Sequence, residues 1–311
     1  MMLIYLIIIA VACSLLLNFL YKRTNHFNNQ FVDVHKFWKN AQRQTNLQVI
    51  NLGSNHPKFG LDYSNTGVRG ENWAVGPQTF EYDFAILRQN AHYLASGATV
   101  VIPVCLLKFF LYRQKNRATH AKYYTFLPKE DIVDYNAWEK FRNITFPVID
   151  PRRWRYILKD VKKDTRLELT SNPMTTVEQL EKDAEQWIQI WNKEFDIILP
   201  EPTLSKENKR EIQSNIRVLR EMLEYCTSKG FKPVLAILPV TEHLSSKFTD
   251  TFIENHIIKY LEVANTVNAP LLNYLNDERF TDSSLYINSF FMNKYGREEF
   301  TRLMVEKLKD I

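Results

Sequence analysis

From its amino end the chain begins with one long apolar run and then settles into short apolar runs alternating with amphipathic stretches. Residues 1–21 carry no charge, and Leu3-Ile4-Tyr5-Leu6-Ile7-Ile8-Ile9 through Leu15-Leu16-Leu17 is almost wholly aliphatic. At about 1.5 Å per helical residue this stretch reaches roughly 30 Å, the hydrocarbon thickness of a bilayer. Lys22 and Arg23 close it where headgroups would begin. The pattern predicts a single-pass membrane anchor over 1–23 and a juxtamembrane connector over 24–45. A cleaved signal peptide is the competing reading, with Ala10-Val11-Ala12-Cys13 as a faint cleavage box. Against it, no basic residue precedes the run, and the run continues past Cys13.

Beyond the connector, strands are expected at 47–52, near 73–75, and at 98–104, 233–238 and 270–273. The third and fourth are continuous apolar runs, as in strands covered on both faces. Lys108 interrupts the continuation of the third, which is too short to cross a membrane. Phe80, Phe84, Leu87, Ala91 and Leu94 recur at helical spacing until Gly97. Val177, Leu180, Ala184, Ile188, Trp191 and Phe195 form a second stripe. A third comprises Ile212, Ile216, Leu219, Leu223 and Cys226, with Ser205 as N-cap and Gly230 as C-cap. Two more helices are expected over 249–267 and 293–311, the last with Phe300, Leu303 and Leu308 inward. Strands alternating with helices predict an α/β fold. The expected form is a three-layer α/β/α domain over 46–311 around a mainly parallel five-stranded sheet. Residues 112–173 break the rhythm. They are rich in Arg, Lys, Tyr and Trp, including Arg113, Lys115, Arg117, Arg152, Arg153, Trp154 and Arg155. This stretch reads as an insertion above the carboxyl edge of the sheet. It forms either a solvated basic face or a site for an anionic ligand or membrane surface.

Composition narrows the function classes. With 45% hydrophobic and 24% charged residues, the 311-residue chain is globular rather than disordered. A net charge of +5 permits contact with anionic polymers or lipid headgroups. It does not argue for nucleic acid, and no nucleic-acid-binding signature appears. The three cysteines, Cys13, Cys105 and Cys226, lack metal-ligand spacing and read as small buried hydrophobes. Neither a metal site nor a cofactor is expected, because eight glycines leave little room for a phosphate loop and no His or carboxylate cluster stands out. Asn143-Ile144-Thr145 matches a glycosylation sequon that chance explains better.

The chemistry concentrates at Asn51-Leu52-Gly53-Ser54-Asn55-His56. A strand ending at Gly-Ser delivers a serine to the carboxyl edge of the sheet, where ligands bind in open α/β folds. Such a serine is a nucleophile or a turn-and-cap residue. Two further blocks accompany it: Asn72-Trp73-Ala74-Val75-Gly76-Pro77-Gln78 before a helix, and Asn288-Ser289-Phe290-Phe291-Met292-Asn293-Lys294-Tyr295-Gly296 before the last helix. Together the three blocks resemble the SGNH (GDSL-like) hydrolase superfamily. The likeness is greatest to membrane-anchored members of cell-surface polymer acylation, such as the D-alanyl transfer proteins of lipoteichoic acid synthesis. It covers the chain from residue 47 onward, the basic insertion excepted.

The resemblance implies Ser54 as nucleophile, with Gly53, Asn72, Gly76 and Gln78 around the oxyanion and substrate. A serine hydroxyl needs a base, the base needs an acceptor that fixes its tautomer, and the oxyanion needs donors. The family's terminal block reads Asp-x-x-His-x-Asn-x-x-Gly. Here the aspartate position is Asn288 and the histidine position is Phe291. Starting instead at Asp282 puts Leu285 where the base belongs. Candidate substitute bases are His56 and His243, with Glu242 or Asp62 to orient one of them, while His256 falls on a helix face. The expected function is a surface-facing esterase or acyl-transfer protein acting on an acylated cell-envelope polysaccharide or teichoic-acid-type polymer. The competing expectation is a degenerate relative that binds a glycan or a membrane-bound acyltransferase without turnover. The resemblance implies a main domain outside the cytoplasm, whereas Lys22 and Arg23 favour the opposite orientation.

Overall fold

Five parallel strands in the order β2-β1-β3-β4-β5 organise the larger part of the molecule. They are β1 (Leu47–Asn51), β2 (Gly70–Asn72), β3 (Leu94–Pro103), β4 (Lys232–Ile237) and β5 (Leu271–Asn273). The computed structural model describes residues 1–38, 44–112, 120–159 and 176–311. Their contacts group into two units, one of Gln44–Arg113 with Leu169–Ile311 and one of Met1–Arg43 with Gln114–Glu168.

In the first unit, parallel register sets Ile50 against Val100 and Val101 against Val234, so paired residues share a face. On one face Val49, Val101 and Ala236 pack with Phe300, Met304 and Val305 of the final helix, Lys294–Leu308. On the other, Ile50, Val100, Ile102, Leu235 and Ile237 are at most 1% exposed. The Lys206–Ser228 helix lies against β4 and against the Phe80–Asn90 helix. Both faces are therefore dry, as the unbroken apolar runs of β3 and β4 require. The fold is α/β with an all-parallel sheet.

Local chemistry sets most helix ends. Thr176 and Ser205 each close a capping box, with Gln179 and Asn208 respectively, and the Lys206–Ser228 helix stops just before Gly230. The Val177–Phe195 helix buries Leu180, Ala184, Trp191 and Phe195, but Val177, in its first turn, is 66% exposed. The expected helix over 249–267 is a continuous helical run over 250–264 with a π-helical turn, Glu254–Ile258, in its middle.

Two expectations are corrected. Leu94 does not extend the 80–90 helix; it opens β3, which runs through Gly97. The second strand is Gly70–Asn72 rather than 73–75. There the Asn72 side chain accepts from Ala74 N–H (3.0 Å) and turns the backbone out of the ladder. Trp73 N–H and Val75 N–H still donate to the carbonyls of Asn51 (2.8 Å) and Gly53 (2.9 Å).

The second unit contains α1 (Met2–Lys22), the one helix among the described residues long and apolar enough to cross a membrane. The stretch expected as a connector carries helical turns at Asn25–Asn29, Val32–Val34 and His35–Trp38. Residues 137–158 of the basic stretch form five short helical turns, while Arg113, Lys115 and Arg117 lie outside the described residues.

Phe300 is fully buried, with the rings of Tyr274 and Phe280 edge-on at 5.1 and 5.2 Å. Phe300→Ala is expected to cost about 3–5 kcal/mol by denaturant unfolding of the detergent-solubilised chain. Tyr295→Ala on the same helix, where the ring is 76% exposed, should stay within about 0.5 kcal/mol.

Candidate functional site

In this strand order the chain leaves β1 toward β2 on one side and returns to β3 on the other. The carboxyl ends of β1 and β3 thus flank the point where the order reverses, where open α/β sheets form a binding crevice. Ser54 follows β1, and Cys105 to Lys108 follow β3. All of them line one cavity of about 140 Å³, together with His56, Trp187, Trp191, Phe290 and Phe291. The serine block and the terminal block share a single mouth.

The turn that presents Ser54 is built from glycine and a buried ion pair. Gly53 sits at φ +115°, a conformation L side chains rarely adopt, and a Cβ there would run into the Pro57 ring. Its N–H donates to Asp83 Oδ1 (2.7 Å). Asp83 Oδ2 accepts from Lys108 Nζ (2.8 Å), and both side chains are 1% exposed. Lys108 Nζ also donates to the Gln78 carbonyl (2.8 Å) and lies 4.9 Å from the centre of the Phe80 ring. Gln78 returns the connection: its Nε2 donates to the Gly53 carbonyl (3.2 Å) and to Asp83, and its backbone N–H donates to Ser54 Oγ (3.1 Å). One ion pair therefore ties together the loops after β1, before the 80–90 helix and after β3. Ser54 occupies the N-cap position of the Asn55–Gly60 helix, but its side chain makes no cap bond. Its hydroxyl is held by the second loop instead.

The residues expected around an oxyanion are mostly scaffold. The Gly53 amide is committed to Asp83. Asn72 donates to the carbonyls of Pro57 and Leu61 (both 2.9 Å) and accepts from Asn51 Nδ2 (2.9 Å), bracing the loop that carries Ser54. Gly76 is where the chain passes against Asn55, and a Cβ there would collide with the Asn55 amide.

Of the proposed bases, only His56 reaches the cavity. It is 3% exposed, and its Nε2 lies 3.1 Å from the Pro239 carbonyl. A carbonyl only accepts, so Nε2 carries the proton and Nδ1 is the bare acceptor. Nδ1 is buried with no hydrogen-bond partner. Burial pushes the imidazole down to about 4, so it is neutral near pH 7. His243 is not a lining residue. Its Nδ1 pairs with Glu181 (2.7 Å), neither Glu242 nor Asp62, and Lys247 also donates to that carboxylate (2.9 Å). Those bonds, chiefly the one from His243, hold the Glu181 carboxyl below its usual range. Asp62 instead pairs with Arg297 (3.4 Å). His256 lies beside the Tyr260 hydroxyl (3.0 Å) on the 250–264 helical run.

The terminal block is tightly held. Asn288 Oδ1 accepts from the N–H groups of Phe290 (3.0 Å) and Phe291 (2.7 Å). Ser289 N–H donates to Asp183 (3.0 Å), and Thr241 Oγ1 donates to the Ser289 carbonyl (2.8 Å). Phe291 thereby projects into an aromatic cluster. Its ring lies 5.1 Å from Phe59 and 5.7 Å from Trp187, while Phe290 lies 4.6 Å from His56 and 5.4 Å from Trp191. Asp183, Trp187 and Trp191 recur every fourth residue on one helix, so a single helical face supplies both the anchor and the wall.

Sequence reasoning passed over Asp83, Lys108 and Trp187. The available signal was an acid inside an amphipathic helix and a lysine inside an apolar run. Cys105 also lines the cavity, and shielding from water pushes its thiol up to about 12, which keeps it protonated. Among the described residues, no group of three or more His, Cys, Asp or Glu side chains is placed to hold a metal ion. Compared with known families and curated proteins, the chain matches no family model and no curated sequence.

Asp83→Asn and Lys108→Met should each cost about 3–5 kcal/mol in unfolding experiments, since each strands one buried charge. The double variant should cost clearly less than the sum, which a double-mutant cycle reads directly. His56 gives a pH signature. Its folded pKa lies below the unfolded value, so its neutral burial stabilises above about pH 6.5, and that contribution fades as pH falls toward about 4. The wild type should therefore lose on the order of 3 kcal/mol more than His56→Gln between pH 7 and pH 4.

Proposed function

We propose that the chain is a membrane-tethered relative of the SGNH hydrolases whose serine cavity binds an acylated cell-envelope polymer without turning it over. The observation that carries this reading is that Phe291, which the resemblance aligns with the base, lines the same cavity as Ser54. Phenylalanine accepts no proton. A serine without a base keeps only binding and oxyanion effects, at a loss of several orders of magnitude in turnover. What remains is a binding site with the right surfaces. The rings of Trp187, Trp191, Phe290 and Phe291 suit acyl methylenes, and the Ser54 hydroxyl and cavity-lining Asn55 supply polar contacts. A volume of about 140 Å³ admits a short acyl group while the polymer stays outside. The net charge of +5 permits an anionic polymer. In this reading the domain faces outward, and a membrane-bound acyltransferase is the partner that supplies or receives the acylated chain. Protease cleavage of the domain in intact cells tests the orientation.

A second reading, a serine esterase, is favoured by His56, which lines the same cavity and has a buried, unpartnered Nδ1. Pro239 fixes the tautomer needed to receive the Ser54 proton. A base depressed to about 4 is nevertheless weak at neutral pH.

Labelling with a fluorophosphonate separates the two. Binding without turnover predicts no Ser54-dependent adduct, together with quenching of tryptophan emission by an O-acylated oligosaccharide that Trp187→Ala reduces. Labelling that disappears in both Ser54→Ala and His56→Gln supports the esterase instead. Because Asn288 acts only as an acceptor for two backbone amides, Asn288→Asp preserves its turn. The pair Asn288→Asp with Phe291→His is expected to raise ester hydrolysis at least about tenfold over wild type, a modest part of what general-base catalysis supplies. A folded double variant with no gain contradicts the relation to SGNH enzymes.

A further inference from the structure

Residues 137–158 pack beside the carboxyl-terminal half of α1 within the smaller unit. Ser14, Leu17 and Asn18 are half-buried and Tyr21 is buried, a stripe at helical spacing on a helix otherwise exposed through most of its length. Asn18 Nδ2 donates to the Thr145 carbonyl (3.2 Å), and the Pro147–Ile149 and Arg155–Leu158 turns both contact α1. Asn18 lies four residues before Lys22, about 6 Å along the axis, and Ser14 about 12 Å. A 21-residue helix reaches only about 30 Å, barely the hydrocarbon thickness. If α1 spans the bilayer, a segment docked at the level of Asn18 cannot stand clear of it.

The composition of the segment matches that depth. Trp138 (55% exposed), Ile149 (44%), Trp154 (46%) and Leu158 (89%) present large apolar surfaces outward. Trp138 and Phe141 stack at 5.6 Å, and Phe141 and Phe146 at 6.0 Å, forming one continuous aromatic strip. Between Lys140 and Lys159 there are six basic side chains and one acid, Asp150. Aromatic rings and long cationic side chains together are what the headgroup layer selects, the rings at the acyl boundary and the cations reaching to phosphate. Each basic residue near an anionic surface adds about 1 kcal/mol of attraction.

We propose that residues 137–158 lie in the bilayer interface beside the anchor, holding this unit against an anionic lipid surface through Trp138, Trp154, Leu158, Arg142 and Arg155. The anchor alone fixes only one point on the membrane; the platform fixes the unit's height and tilt. The proposal rests on α1 spanning the bilayer, so the experiment separates the two.

The full chain is reconstituted in phosphatidylcholine vesicles with and without phosphatidylglycerol, using lipids brominated near the headgroup end of the acyl chains. The emission of Trp138 and Trp154 is isolated as the difference between wild type and Trp138→Phe/Trp154→Phe. Bromine quenching of that difference, protection from aqueous iodide, and retention of the chain through an alkaline carbonate wash are expected. Arg142→Glu/Arg155→Glu should remain membrane-bound yet lose the phosphatidylglycerol-dependent part of the quenching. If the chain is retained but the difference emission is quenched by iodide and not by bromine, the platform is refuted and the anchor stands. If quenching in the charge-reversed variant matches wild type with and without phosphatidylglycerol, attraction to anionic lipid is refuted. Release by the carbonate wash overturns both the anchor and the platform.

Discussion

The Asp83–Lys108 pair is the constraint on which the cavity depends. Neither charge has water to fall back on, so each must be satisfied by its neighbours. Asp83 accepts from the Gly53 amide, from Gln78 and from Lys108, and Lys108 reaches the Gln78 carbonyl as well. Those partners lie in three separate loops at the carboxyl edge of the sheet. The pair can be satisfied only when all three are in place, and that same arrangement aims the Gln78 amide at Ser54 Oγ. Replacing such a pair by apolar residues of similar volume is often neutral for stability. Its consequence here is positional: it fixes where the serine points.

Around that fixed serine, the opposite wall has been filled with rings. Asn288 Oδ1 accepts from the backbone amides of Phe290 and Phe291 and so fixes the turn that carries both rings. Phe291 packs on Phe59 and Trp187, and His56 is enclosed beside Phe290. The result is a cavity with a braced hydroxyl at its base and an apolar wall beside it. The imidazole in its lining, His56, is a weak base because burial pushes it down to about 4.

Much of the architecture was legible from periodicity. The capping residue Ser205, the dry strands β3 and β4 and the amphipathic stripe of the final helix follow from local rules of hydrogen bonding and burial. Leu94 misled because a strand beginning four residues after the last residue of a helix can continue the helical spacing by coincidence. The position of Ser54 at the strand edge was legible too, because an apolar run that stops at Gly-Ser delivers the serine there; the cavity it shares with Phe291 emerges only from the packing of the loops. The brace was not legible. Asp83 on an amphipathic helix reads as solvated surface, and Lys108 reads as the end of an apolar run; only tertiary packing reveals that each buries the other. The same limit hid Glu181 as the partner of His243, because pairing across elements leaves no trace in local spacing.

The most direct measurement of the central claim is the intact mass of the full chain, with peptide mapping across Ser54, after incubation with an O-acylated oligosaccharide. A cavity that binds without turnover predicts an unmodified Ser54 peptide and an undiminished ester content in the recovered ligand. An acyl mass increment on the peptide carrying Ser54, with matching loss of ester from the ligand, would contradict it.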